Sequence, residues 1–221
     1  MLFRSDDLPR LKKLRVLFCS ENRFTRLPEV LASCAHLEMV GFKSNRIRDV
    51  TAAALSPRLR WLILTDNQIA ALPDAIGDCA RLQKLMLAGN LLSDLPEAMR
   101  GCVGLELLRI SANRFQALPP WLADLPRLTW LAFGGNPVSA SPPFPRSSVS
   151  TIPWADLVLG EQLGEGASGV IHKAHWQPSS HDARQPVAVK LFKGSVTSDG
   201  YPADEMAACL AAGHHPHLIG V

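Results

Sequence analysis

The 221 residues are 47% hydrophobic and 19% charged, with a formal net charge of +3, a composition that suits a globular chain and excludes extended disorder. That balance is too even for a charge-driven nucleic-acid surface, and no run of one sign supplies one locally. No 18-residue stretch is both apolar and uncharged, and the opening MLFRSDDLPRLKKLRV carries charges where a secretory leader needs an apolar block, so no membrane span and a cytoplasmic location are expected.

From the start of the chain to Val138 the sequence repeats itself. Asparagine recurs at Asn22, Asn45, Asn67, Asn90, Asn113 and Asn136, at intervals of 23 residues with a single interval of 22. Apolar residues stand eight, five and three positions before each Asn, as Leu82, Leu85 and Leu87 do before Asn90, and another follows two positions after, as Leu92 does. A Leu-Pro pair comes five positions after four of them, at Leu27-Pro28, Leu72-Pro73, Leu95-Pro96 and Leu118-Pro119. The L-x-L alternation predicts a short strand with one buried face. The Asn side chain can satisfy backbone donors and acceptors at a bend that no sheet ladder covers. Leucine layers from successive coils then stack into one continuous core. The 22-residue interval places a one-residue deletion on the convex side of the second coil, near Ser56-Pro57.

Six copies of L-x-x-L-x-L-x-x-N-x-L, four of them continued by x-x-L-P, over residues 8–138 resemble the leucine-rich repeat family. The resemblance implies an α/β solenoid, a horseshoe, for a unit spanning residues 1–138. Of the five cysteines, Cys34, Cys79 and Cys102 occupy similar repeat positions and read as small buried apolar residues, not as a disulfide or zinc set. The strand residues that point outward form an unusually apolar concave row. Phe18, Met39, Trp61, Ile63, Met86, Arg109 and Trp130 are the candidate partner-binding residues on it. The same row would also serve to pack against another part of the same protein. Leu8 and Leu11 match the convex-side leucines of an earlier coil, so the array is expected to begin mid-repeat.

Ser139 to Pro153, SASPPFPRSSVSTIP, is rich in proline and serine and is expected to be an extended linker. A second unit is expected over residues 154–221. It opens with Leu163-Gly164-Glu165-Gly166-Ala167-Ser168-Gly169-Val170-Ile171, whose G-x-G-x-x-G spacing is weak evidence alone. The dinucleotide-binding form runs from strand into helix, yet Val170 to Trp176 is rich in strand formers and carries no helix start. A further strand-like run, Pro186 to Phe192, holds Lys190. The glycines are therefore expected to join two strands of a hairpin, with a third strand bringing a cation.

That order of parts resembles the N-terminal lobe of eukaryotic-type protein kinases, an antiparallel sheet plus one helix. His215-Pro216-His217-Leu218-Ile219 resembles the family's turn after the helix. The resemblance implies ATP as ligand. Gly164, Gly166 and Gly169 would bring backbone amides to its phosphates, with Glu165, Ala167, Ser168 and Val170 completing the loop. Leu163, Ile171 and Ala188 would sandwich the adenine. Lys190 would meet the α- and β-phosphates and be held by Glu205, with Asp204 the competing acidic neighbour; the alternative for Lys190 is an ordinary surface lysine. Ser168 departs from the aromatic frequent at the loop tip. His214, His215 and His217 cluster, but no carboxylate or cysteine nearby has ligand spacing, and no metal site is expected.

Neither H-R-D-x-x-x-x-N nor D-F-G occurs in the 221 residues. The resemblance thus implies the ATP-binding front part of a longer serine/threonine kinase. In that longer protein Mg2+ and a protein substrate would enter, and the chain by itself would be inactive, with no catalytic residue of its own. The competing expectation is a protein-binding repeat scaffold with a vestigial, non-catalytic lobe.

Overall fold

The computed structural model describes residues 5–139, 151–166, 169–177, 184–197, 200–204 and 206. Ala167, Ser168, Glu205, the three clustered histidines and most of the expected linker lie outside the described residues.

Six three-residue strands follow the repeat pattern: β1 (Val16–Phe18), β2 (Met39–Gly41), β3 (Trp61–Ile63), β4 (Lys84–Met86), β5 (Leu107–Arg109) and β6 (Trp130–Ala132). They pair in parallel in chain order. The pairing is in step, so Leu17, Val40, Leu62, Leu85, Leu108 and Leu131 lie side by side on the inner face. Behind them Leu37, Leu59, Leu82 and Leu105, with Ile47, Ile69, Leu92 and Phe115, are at most 2% exposed. Each coil cannot bury its apolar face alone, and stacking supplies the missing neighbour. Each end coil has one neighbouring coil among the described residues, and their Leu14, Leu17, Leu128 and Leu131 are just partly buried.

The convex side corrects the α/β expectation. Its elements are 3-10 turns, at Glu29–Ser33, Ala52–Ala54, Asp74–Asp78, Glu97–Gly101 and Pro120–Asp124, and no α-helix occurs among the described residues of the repeats. Strands stack about 4.8 Å apart, whereas an α-helix with side chains is about 10 Å across. The tighter 3-10 turn narrows that mismatch. Pro28, Pro73, Pro96 and Pro119 precede four of these turns in extended or near-extended backbone, and their missing N–H costs nothing there. The one-residue deletion falls where expected: the turn of that coil shrinks to Ala52–Ala54, and Ser56 is buried.

The asparagines tie coil to coil. Asn113 Nδ2 donates to the carbonyls of Leu87 (3.0 Å), Ile110 (3.0 Å) and Ser111 (3.1 Å), and its Oδ1 accepts the Leu92 N–H (3.0 Å). Asn45, Asn67, Asn90 and Asn136 repeat the scheme. Asn22, in the first described coil, is described only with the Ser20 carbonyl. The residue before each Asn is left-handed, including Glu21, Ser44, Asp66 and Ala112; this bend turns the chain out of the strand. The three cysteines are at most 1% exposed. Cys102 and Cys79 donate their thiols to Ile76 O (3.2 Å) and Ser56 O (3.5 Å) of the preceding coil.

A second, antiparallel sheet comprises β7 (Leu157–Glu165), β8 (Gly169–Trp176) and β9 (Gln185–Phe192), in the order β7-β8-β9. A short 3-10 turn, Trp154–Asp156, leads into it. Beyond β9, residues 202–204 and 206 are helical. Of this sheet's apolar residues only Ala174 is fully buried.

Candidate functional sites: the concave row and the glycine hairpin

Alternation along β1 to β6 turns the expected row outward. Leu62 is buried while Trp61 and Ile63 on either side are half-buried, and the same holds for Leu85 between Lys84 and Met86. Phe18 and Trp130, at the two ends, are 53% and 54% exposed. The row is less purely apolar than its residue types suggest. Lys84 Nζ lies 4.1 Å from the centroid of the Trp61 ring, and the Arg109 guanidinium 5.5 Å from that of Trp130, so each tryptophan face carries a cation. Phe18 leans over Gly41: a Cβ there would stand 2.1 Å from Phe18 Cδ1. At the strand entrances runs a polar ladder that sequence reasoning missed. Arg15 and Arg60 flank Glu38 at 2.9 and 3.8 Å, and Arg60 reaches Gln83. The Arg15 hydrogen bond, together with the charges of Arg15, Arg60 and Arg81, holds the Glu38 carboxyl below its usual range. The signal was present in the residue seven positions before each Asn.

In the second sheet the glycines do join two strands of a hairpin, and a third strand carries Lys190. Directly opposed residues on antiparallel strands share a face. The pairs Gly164–Ile171 and Ile171–Lys190 therefore place the first glycine, an aliphatic side chain and the lysine on one face. Lys190 Nζ stands 4.8 Å from the Phe192 ring on that face. Leu163 and Ile171 are 56% and 39% exposed, and Ala188 is exposed. A register shift between Gln162 and Gly164 sets Leu163 and Gly164 against Ile171, as a β-bulge does.

The three glycines differ in role. A Cβ on Gly164 or Gly166 would meet nothing within 4 Å among the described residues. A Cβ on Gly169 would stand 2.5 Å from the Leu191 carbonyl oxygen, so this glycine permits close approach of β9. The Gly166 N–H donates to the Gly169 carbonyl at 2.9 Å. Here it closes the hairpin, and in this conformation it is not offered to a ligand. Glu165 forms an ion pair with Lys193, just past β9, and accepts from Gln162 Nε2. The Lys193 hydrogen bond is the main reason its carboxyl lies below the usual range. Nothing in the spacing of these residues announced this contact. Val170 pairs with Glu165 and Leu191 in the ladders. The pairing expected between Lys190 and Glu205 lies outside the described residues.

No helix among the described residues is long and apolar enough to cross a membrane. The leucine-rich repeat family model matches residues 57–115. Similar solved structures include a leucine-rich repeat protein of Leptospira interrogans, with 27% identity over 59% of this chain and 40% of that one and a TM-score of 0.49. Another is the leucine-rich repeat ectodomain of the receptor kinase SOBIR1 from Arabidopsis thaliana, with 21% identity over 54% of this chain and 69% of that one and a TM-score of 0.47. A third is the plant peptide hormone receptor RGFR1 in complex with RGF2, with 26% identity over 59% of this chain and 22% of that one and a TM-score of 0.51. The chain spans 40% of the Leptospira protein and 22% of the hormone receptor. It carries leucine-rich repeats wound as a solenoid around a parallel sheet.

Proposed function

We propose that the repeats are a protein-binding scaffold, and that the glycine hairpin with Lys190 is an ATP-binding element of protein-kinase type over residues 154–221. One observation carries the second half: the shared sheet face of Gly164, Ile171 and Lys190. The fit to a nucleotide is favourable. Space around Gly164 and Gly166, clear of the described residues, would admit phosphate oxygens, Lys190 on the same sheet face would supply a point charge, and exposed Leu163, Ile171 and Ala188 offer aliphatic cover for a purine. Glu205 would steady the Lys190 ammonium in this reading. Transfer of the γ-phosphate to a serine or threonine hydroxyl also needs a base and magnesium ligands, which kinases take from H-R-D-x-x-x-x-N and D-F-G, and neither motif occurs in these 221 residues. For this chain the reading is nucleotide capture, with turnover, Mg2+ and a protein substrate belonging to a longer cytoplasmic kinase. On the scaffold side, the concave row offers aromatic and cationic anchors of the kind that dominate protein interfaces.

A titration of ATP against the wild type and Lys190→Met tests the reading. Binding that weakens about tenfold or more in the variant is expected, on the scale of one lost charge-assisted contact. Equal affinity in both, or binding by neither, would overturn it. The second reading is a scaffold whose lobe has lost nucleotide use. The Gly166 amide turned into the hairpin and the Glu165 carboxylate beside the turn favour it, and a folded hairpin that ignores ATP would establish it over the first.

A further inference from the structure

The residue before each repeat asparagine has a left-handed φ: 57° at Glu21, 53° at Ser44, 58° at Asp66, 69° at Gly89, 51° at Ala112 and 73° at Gly135. Four of the six coils meet this bend with a side chain, so the backbone alone does not demand glycine at the other two. Gly89 and Gly135 answer to a second constraint. A Cβ on Gly89 would stand 2.8 Å from Val196 Cγ1. One on Gly135 would stand 2.8 Å from Tyr201 Cδ2 and 2.9 Å from Asp204 Oδ2. All three contacting residues belong to the segment that leaves β9. Exposure at this position is mixed: Ala112, between the two glycines, is 3% exposed, Glu21 and Asp66 are exposed, and Ser44 is half-buried like Gly89 and Gly135, so the close approaches carry the point.

The seated segment has a shape of its own. Thr197 donates from both its N–H (2.7 Å) and its hydroxyl (2.9 Å) to the Gly200 carbonyl, and the Tyr201 N–H donates to Asp204 Oδ2 at 2.9 Å. Gly200 sits at φ 144°, which a side chain rarely adopts, and a Cβ there would lie 2.9 Å from Asp204 Oδ2. Thr197 is 7% exposed although it lies outside the three-stranded sheet, so its cover comes from elsewhere than a strand ladder.

We propose that the loop rim of the fourth to sixth coils is an intramolecular docking site whose occupants are this chain's own residues 194–197 and 200–204, and that glycine at 89 and 135 serves that contact. The strand bearing Lys190 runs directly into the docked segment, so the repeats anchor the carboxyl end of that strand. A molecule that took the same rim would free it. The dock stands apart from the nucleotide reading, since nothing in it needs a ligand, and its test reads no nucleotide.

The test is hydrogen exchange on the full chain and on Gly89→Ser/Gly135→Ser. Serine already occupies this left-handed position at Ser44, so the bend tolerates it. Amides of residues 194–197 and 200–204 are expected to exchange about tenfold faster in the variant, as a locally released segment does, with the repeat strands unchanged. Unaltered exchange in that segment overturns the dock. Should the variant fail to fold, Val196→Ser/Tyr201→Ser, which leaves the repeats intact, must give the same acceleration. A cross-link provides an independent arm. A Cβ on Gly89 would stand 3.2 Å from Val196 Cβ, near the roughly 3.8 Å of a disulfide. Gly89→Cys/Val196→Cys is expected to close an intramolecular disulfide in oxidised glutathione, while Asp66→Cys/Val196→Cys stays reduced. A pair at 89 and 196 that remains reduced counts against the dock.

Discussion

Asn113 and Asn22 occupy the same place in the repeat and have unequal surroundings. Asn113 is 7% exposed and serves four backbone groups in two coils, while Asn22 is described with one carbonyl of its own coil. Asn113→Ala strips partners from buried peptide groups and is expected to destabilise the fold by about 3 kcal/mol. Asn22→Ala should cost less than about 0.5 kcal/mol, as exposed substitutions do. Urea unfolding of both variants measures the difference, and similar costs would mean that the ladder does not matter. The cysteines make a second residue-scale prediction. Burial pushes the Cys102 thiol up to about 12, with Cys79 adding, and pushes Cys79 up to about 11, with Asp78 adding. Both exceed the ordinary value of 9.0, so the folded state holds its protons longer than the unfolded chain. Their stabilising effect is complete below pH 9 and is lost as pH climbs from there through 11 and 12. The urea midpoint should therefore fall more steeply above pH 9 in the wild type than in Cys79→Ala/Cys102→Ala.

Among the elements, the glycine hairpin separates packing from ligand chemistry. Gly169→Ala drives a methyl into the Leu191 carbonyl, a rigid backbone atom, and is expected to break the β8–β9 pairing at a cost of about 2 kcal/mol. Gly166→Ala meets no atom and should leave the sheet intact. Exchange rates of the β9 amides in the two variants check this, and equal rates would contradict it. Close approach through glycine recurs on the convex side. A Cβ on Gly77 would stand 2.1 Å from the Ala98 carbonyl oxygen, and one on Gly101 2.5 Å from that of Gly77. The short turns of adjacent coils therefore press together where a larger residue would force them apart.

Over the whole molecule, stability is divided unevenly. The solenoid buries a continuous column of side chains, and each coil is held by its neighbours. The three-stranded sheet has a nearly open β7, whose residues other than Leu157 and Gly164 are exposed, and a single fully buried apolar side chain. Amides of Val187 to Leu191 are accordingly expected to exchange at least about tenfold faster than those of β3 to β5, since local opening follows burial. Equal protection in the two sheets would show that β7 to β9 draw on more than their own core.

The solenoid was legible because its information is local and repeated. The L-x-L spacing, the Asn positions and even the shortened second coil each dictate backbone within a few residues, and six copies reinforce one another. The hairpin order was legible for the same reason: Gly169 is followed by strand formers and not by a helix start. Other features depended on contacts that no repeat announces. That Gly169 makes room for Leu191, that Glu165 meets Lys193, and that Gly89 and Gly135 are bare because Val196, Tyr201 and Asp204 lie against them were decided only when the chain folded back on itself. A pattern with period 23 records contacts between neighbouring coils. It holds no record of contacts made once, outside the repeat, where at Gly89, Gly135 and Gly169 one missing Cβ is the whole signal.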